Sequence, residues 1–198
     1  MGFGNVVVIG QPPSWYIGES VTAQDYDGRK QYTIYQKILI GCELNNVTDD
    51  FIMFNDDHFL LKPLYAENIK YWHNGPIANE MNRNLTARYA HAVENTINIL
   101  PDAMNFDIHI PIIYNKAKFK MLFGNKNDEV CVKTYYCESL QLQGEEMADC
   151  KIDQLLSYEA IKEYIKDRMF FSTSINSIKA PMRAVLEDMF KEKSRWEK

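Results

Sequence analysis

Two hydrophobic patterns alternate along the chain. Short runs of consecutive apolar, often β-branched residues at positions 6–9 and 51–54 predict strands that are buried on both faces. Between them, apolar residues at helical spacing across positions 32–42 predict an amphipathic helix. A strand, a helix and a second strand joined by short connections are typical of a parallel, right-handed βαβ unit.

The rest of the chain continues this alternation. Apolar stripes and capping residues predict four more helices, over residues 86–100, over residues 115–122, after Ser157, and after Pro181. Residues 170–174 predict a last strand, residues 106–114 a strand or extended loop, and the mixed-charge tail 191–198 a solvated helix end, whereas residues 125–150 are ambiguous. The pattern therefore predicts one α/β domain over residues 1–198, with helices flanking a mostly parallel sheet.

Composition narrows the function classes. The net charge of −5 argues against non-specific nucleic-acid binding, which needs clustered Lys and Arg. No apolar window is long enough for a membrane span, and the N-terminus lacks the features of a secretory signal. The four cysteines are scattered without CxxC spacing, which predicts reduced, buried thiols in a cytoplasmic protein.

The candidate chemistry lies in the segment FIMFNDDHFLLKP, residues 51–63. Asn55, Asp56 and Asp57 follow the predicted strand, and ligands of open α/β sheets bind beyond the carboxyl ends of strands. Two adjacent carboxylates repel each other near apolar walls, and a divalent cation such as Mg²⁺ removes that penalty while it also binds phosphate oxygens. The alternative interpretation is a solvated turn in which these side chains cap the backbone.

The same segment resembles the second signature region of the Stealth family, the sugar-phosphate transferases of bacterial capsule synthesis that are related to N-acetylglucosamine-1-phosphotransferase. Three stretches carry the resemblance: Asn55-Asp56-Asp57 with Phe59 and Pro63; residues 6–15, which are similar to a strand followed by a Gly-Gln-x-Pro-x-Trp turn; and Asp107-Ile108-His109-Ile110-Pro111, which is similar to a His-x-Pro region. The chain begins after the strand and Asp-containing turn with which the family pattern opens, so that first strand is expected to be missing.

The resemblance implies a GT-A-like fold that transfers a sugar phosphate from a nucleotide-sugar donor to a hydroxyl acceptor, most simply a carbohydrate. It implies that Asp56 and Asp57 bind Mg²⁺ or Mn²⁺, that Asn55 orients a carboxylate or contacts the sugar, and that His109 is the catalytic base. A base of this kind must titrate near neutral pH, as histidine does. Candidate phosphate-binding residues are Arg83, Arg88 and Lys37.

Three alternatives stay open at this point. A GT-A glycosyltransferase would use the same metal and diphosphate but would attack the anomeric carbon of the sugar. A fold that lacks its first strand would instead be an inactive binding protein, with an exposed sheet edge near residues 6–9 that predicts a homodimer. His109 itself would be a half-buried histidine that hydrogen-bonds to the backbone.

Overall fold

Most amphipathic segments predicted from the sequence fold into helices. The computed structural model describes residues 4–198. Its α-helices are α1 (Lys30–Glu43), α2 (Ala87–Ile99), α3 (Lys116–Phe123), α4 (Val132–Ser139), α5 (Tyr158–Ile165) and α6 (Ala180–Met189). Two short 3₁₀ helices cover Ala66–Asn68 and Ile77–Asn82. Only α4 was not predicted, and it lies inside the ambiguous segment 125–150.

Local capping explains where three of these helices begin. The Asn115 side chain accepts a hydrogen bond of 3.2 Å from the Lys118 backbone N–H, and Ser157 accepts one of 3.2 Å from the Ala160 N–H. Each bond satisfies a donor that the first helical turn leaves free. Pro181 lies in the first turn of α6, where its fixed φ and missing N–H cost nothing. The helix starts predicted at these residues are confirmed.

The strands are short and pair in both directions. They are β1 (Val7–Ile9), β2 (Glu19–Val21), β3 (Asp50–Met53), β4 (His58–Leu60), β5 (Tyr71–His73), β6 (Ile112–Asn115), β7 (Gly144–Glu146), β8 (Lys151–Ile152) and β9 (Phe170–Thr173). The pairs β1–β2, β5–β7 and β8–β9 are parallel, whereas β3–β6 and β4–β9 are antiparallel. The chain is therefore a mixed α/β protein.

The strands do not form the βαβ unit predicted from their order. Within residues 4–198, β1 pairs with β2 and β3 pairs with β6, so β1 and β3 share no ladder. All three residues of β1 are half-buried rather than buried on both faces. The local pattern predicted where β1 and β3 lie but not their partners, because pairing is decided by contacts between distant parts of the chain.

The three-stranded sheet, in the order β4–β9–β8, positions the candidate site. Ser172 at its centre pairs with His58 of β4 on one side and with Lys151 of β8 on the other. Residues that are far apart in the sequence are therefore neighbours across one strand. Residues 170–174 were predicted as a strand, and β9 confirms this prediction.

Side chains of β9 alternate between two hydrophobic clusters. Phe171 packs in the cluster formed with Ile161 of α5 and Met182 of α6. Phe170 packs in the cluster that contains Ile108 and Ile110. Since successive strand residues point to opposite faces, the segment that carries position 109 lies on the face of the sheet opposite α5 and α6.

The C-terminal tail was predicted as a solvated helix end, and this prediction is wrong. Helix α6 ends at Met189, and the chain then returns to residues 15–17. The Trp196 carbonyl accepts a 2.8 Å hydrogen bond from the Ile17 N–H, and the Lys198 N–H donates one of 2.9 Å to the Trp15 carbonyl. These backbone bonds are invisible to a charge pattern, which describes side chains alone.

Residues 4–198 contain no disulfide bond and no helix that could span a membrane. All four cysteines are buried and unpaired, as their spacing predicted. No described helix has both the length and the apolar character needed to cross a membrane. Packing of apolar side chains and backbone hydrogen bonds therefore hold the described structure together.

Candidate functional site

Asn55, Asp56 and Asp57 form the tight turn that joins β3 to β4. The Asn55 carbonyl accepts a 3.2 Å hydrogen bond from the His58 N–H, which closes the turn. The Asp57 carbonyl accepts one of 3.1 Å from the Thr173 N–H, which anchors the turn to β9. Asp56 is exposed, and the Asp57 side chain keeps 30% of its surface accessible. The carboxylates therefore lie at the carboxyl end of a strand, as the sequence predicted.

The buried side of Asp57 faces His58. Asp57 Oδ1 and His58 Nε2 are both buried without a hydrogen-bond partner, and they lie 3.8 Å apart. The Asn55 N–H donates to His58 Nδ1 at 3.3 Å, so a neutral His58 carries its proton on Nε2, directed at Asp57. Burial, and then the nearby positive charge of Lys133, lower the pKa of His58 to about 2. His58 is thus neutral and packs against the buried oxygen of Asp57 without a hydrogen bond to it.

His109 is held by a carboxylate that the sequence analysis missed. His109 Nδ1 lies 2.8 Å from Asp149 Oδ2, and the His109 backbone N–H donates to Asp149 Oδ1 at 3.1 Å. A carboxylate only accepts, so the proton of a neutral His109 is on Nδ1 and the lone pair is on Nε2. This is the tautomer that a general base requires. His109 is half-buried, as the alternative interpretation predicted, but its ring bonds to a carboxylate rather than to the backbone.

Asp149 is ionised in this arrangement. Burial by itself would raise the pKa of Asp149, but the hydrogen bond from the His109 ring, the charge of His109 and the backbone N–H groups of His109 and Lys151 outweigh it. The pKa of Asp149 is lowered to about 2 as a result. The carboxylate can therefore stabilise a positive charge that develops on His109.

Lys151 connects His109 to Asp57. Lys151 Nζ lies 3.1 Å from His109 Nε2 and 4.0 Å from Asp57 Oδ2. We call the side chains of Asp57, Lys151, His109 and Asp149 the Asp57–His109 network. It brings together Asp57, a predicted metal ligand, and His109, the predicted base, although they are far apart in the sequence.

A buried lysine fixes the backbone on both sides of His109. Lys133 Nζ donates to the carbonyls of Ile108 and Ile110, each at 2.6 Å, and the residue is 7% exposed. Burial lowers the pKa of Lys133, whereas the charges of Asp107 and Asp149 act in the opposite direction. These bonds leave the segment that carries His109 little freedom to move.

An open groove of about 480 Å³ lies beside the network. Its lining includes Asp56, Asp57, Lys151, Asp153, Thr173 and Asn176. This volume is within the range of small-molecule sites. The groove therefore places three carboxylates, one ammonium group, a hydroxyl and an amide around a space large enough for part of a nucleotide sugar.

The groove also provides the ligands that a hard divalent cation prefers. Asp56 and Asp57 line it together. Among the described residues, no three His, Cys, Asp or Glu side chains converge as a closed metal site. Mg²⁺ does not need such a set, because it commonly binds one or two carboxylates together with substrate phosphates and water. Asp56 and Asp57 therefore fit this mode of binding.

The predicted basic residues are not equally close to the network. Arg83 forms a 2.8 Å ion pair with Glu80, which raises the pKa of Arg83, and the charge of Asp149 contributes to the same shift. Lys37 pairs with Asp25 at 2.5 Å, and the exposed Arg88 lies 3.9 Å from Asp27. The structure brings Arg83 within electrostatic reach of the network, whereas Lys37 and Arg88 contact the acidic segment 25–27.

Sequence reasoning missed Asp149, Lys151 and Lys133, which lie in or next to the ambiguous segment 125–150. Two charged residues around one cysteine, Asp149-Cys150-Lys151, carry no recognisable spacing. The available signal was that the charged residues Asp149 and Lys151 alternate with the apolar residues Cys150 and Ile152, which are both buried.

A scan against models of protein families found no match for this chain, and no curated protein matched it significantly. The resemblance to the Stealth family therefore stays a prediction from the motifs themselves.

Proposed function

We propose that this protein transfers a sugar phosphate from a nucleotide sugar to a hydroxyl acceptor with the help of Mg²⁺ or Mn²⁺. The observation that carries the proposal is the Asp57–His109 network at the edge of the groove. It combines a carboxylate turn, a histidine in the tautomer of a base and an ammonium group at hydrogen-bonding distance from that histidine. The motif resemblance supports the same reaction class.

In this proposal His109 removes the proton of the acceptor. The acceptor oxygen attacks the phosphorus that bears the sugar, a new O–P bond forms, and the bond to the bridging oxygen of the diphosphate breaks. The acceptor proton goes to His109 Nε2, and a nucleoside monophosphate leaves. Asp149 stabilises the resulting imidazolium, because it already binds Nδ1–H at 2.8 Å.

Asp56 and Asp57 would hold the divalent cation. When bound, the cation neutralises negative charge on the diphosphate oxygens. Asn55 contributes the backbone N–H and carbonyl that shape the turn. Its contact with the sugar is what the motif resemblance implies. Arg83 remains the predicted phosphate-binding residue whose charge interacts with that of Asp149, but its guanidinium pairs with Glu80 and does not line the groove.

A GT-A-like arrangement and a cytoplasmic location belong to the same proposal. The mixed α/β architecture, the parallel β8–β9 pair and the carboxylates at a strand end support the fold assignment. The buried, unpaired cysteines support a reducing compartment.

The test is product analysis with a panel of nucleotide sugars and sugar acceptors, with and without MgCl₂ or MnCl₂. We expect release of a nucleoside monophosphate that depends on the cation. His109→Gln should lower the rate by about 10²–10⁴-fold, and Asp57→Asn by about 10²-fold or more. Asp49→Asn, an exposed aspartate ahead of β3, is the matched control and should keep the wild-type rate.

Release of a nucleoside diphosphate would instead assign attack at the anomeric carbon, the reaction of a glycosyltransferase. Wild-type rates in both His109→Gln and Asp57→Asn would rule out the network as the catalytic site.

A further inference from the structure

The ammonium group of Lys151 covers the lone pair that a base at position 109 needs. Lys151 Nζ can only donate, and its 3.1 Å contact with His109 therefore occupies Nε2 as an acceptor. In this state an acceptor hydroxyl cannot deliver its proton to His109. For the histidine to act, Lys151 must move away from it.

Lys151 also has hydrogen-bonding capacity that its present neighbours do not use. An ammonium group has three donors, whereas His109 accepts one bond and Asp57 Oδ2 is 4.0 Å away, beyond hydrogen-bond distance. The Lys151 side chain is 25% exposed and lines the groove. A phosphate there could accept charge-assisted hydrogen bonds from it, and these are stronger than a bond to a neutral ring.

We propose that Lys151 is the anion-binding residue of the groove, and that it exchanges His109 for a phosphate of the bound donor. The lone pair of His109 is then uncovered only when a diphosphate occupies the groove. This inference rests on the proposed function, because it takes the diphosphate of a nucleotide sugar as the ligand. It adds a coupling between donor binding and the availability of the base.

The lining of the groove favours a diphosphate bound with a cation. Asp56, Asp57 and Asp153 would repel an isolated anion, and the single ammonium of Lys151 would not offset three carboxylates. A divalent cation on Asp56 and Asp57 neutralises those two carboxylates, so the charge of Lys151 then offsets that of Asp153. Thr173 and Asn176 also line the groove, and their uncharged polar groups suit further phosphate oxygens.

The first experiment measures binding of inorganic pyrophosphate in the presence of MgCl₂ by isothermal titration calorimetry. Lys151→Met should weaken binding by about ten- to a hundredfold, which corresponds to the loss of one hydrogen bond to a charged group. Lys70→Met is the matched control, since Lys70 is a surface lysine in a 2.6 Å ion pair with Glu145. It should bind pyrophosphate like the wild type.

The second experiment follows His109 Nε2 by ¹⁵N NMR of the four imidazoles, with His109→Gln used for assignment. Addition of pyrophosphate and MgCl₂ should move the Nε2 resonance toward the position of a nitrogen that accepts no hydrogen bond. Lys151→Met should show that position before any ligand is added. Lys151→Gln provides a second variant that keeps a polar side chain, and circular dichroism verifies that each variant is folded.

The inference is overturned if Lys151→Met binds pyrophosphate as tightly as the wild type, or if the Nε2 resonance of the wild type does not respond to the ligand. Neither readout needs turnover. A protein that shows both effects but transfers no sugar phosphate would support the anion site and reject the proposed function. If the protein transfers sugar phosphate but Lys151→Met binds pyrophosphate like the wild type, the proposed function is supported and the anion site is rejected.

Discussion

Asp149 shows how a single residue can link stability to pH. Its pKa in the folded protein is about 2, below the value of about 3.9 for an aspartate in an unfolded chain. The folded state therefore holds this proton less tightly than the unfolded state. The contribution of Asp149 to stability is fully present above about pH 4 and is lost as the pH falls through about 2.

We expect Asp149→Asn to lower the free energy of unfolding by roughly 2 kcal/mol near pH 5, because the charged hydrogen bonds to His109 are weakened. The gap to the wild type should narrow by about 1 kcal/mol between about pH 5 and about pH 3. Urea unfolding at a series of pH values measures this. Asp102→Asn removes an exposed carboxylate and is the control; a gap independent of pH would contradict the assignment.

At the residue scale, the sequence pointed to two of the four residues of the Asp57–His109 network. Asp57 stood out as one of two adjacent carboxylates after an apolar run, and His109 stood out through a motif. Asp149 and Lys151 did not, because their significance comes from contacts with His109 across 40 and 42 residues of chain. Neither contact leaves a mark on the local pattern of hydrophobic and polar positions.

At the level of elements, helices were predicted better than strand pairing. A helix such as α5 is encoded locally, by an apolar stripe and by Ser157 at its start. The partners of β9 lie more than 100 residues away in β4 and about 20 residues away in β8. Helix α4 was missed because its buried set includes Lys133 and Thr134, which a periodicity argument treats as solvent-facing.

The cap of α5 gives a test at this level. Ser157→Ala removes the side-chain acceptor for the Ala160 N–H, and we expect it to destabilise the protein by about 1 kcal/mol. That corresponds to a melting temperature lower by about 2–4 °C in a chain of this size. Ser157→Asp retains an acceptor and should melt close to the wild type. Equal melting temperatures for Ser157→Ala and the wild type would show that the cap contributes nothing.

For the whole molecule, the two ends of the described chain meet. The tail 194–198 bonds to residues 15–17, and the Arg195 guanidinium donates to the Gly4 carbonyl at 3.0 Å. The last residues of the described structure therefore bond to Gly4 and to the connection between β1 and β2. The three-stranded sheet takes no part in these bonds.

Deletion of residues 194–198 should therefore act locally. We expect faster hydrogen exchange at the Ile17 amide, which loses its Trp196 acceptor, and a loss of about 1 kcal/mol in the free energy of unfolding. Amides of β9 should keep their protection relative to global unfolding. Arg195→Ala, which removes the contacts with Gly4 and with the Trp196 ring but keeps the backbone bonds of the tail, is the control. Loss of protection in β9 would show that the tail supports the entire fold.

The position of Ser172 between His58 and Lys151 has a geometric consequence. The strands that carry these two residues are separated by β9, so their backbones are about 10 Å apart, twice the spacing of hydrogen-bonded strands. That distance is set by hydrogen bonds between peptide groups and does not depend on the identity of any side chain. Substitutions of side chains that line the groove can therefore change which molecule binds. The distance between the backbones of β4 and β8 stays constant as long as the three strands remain paired.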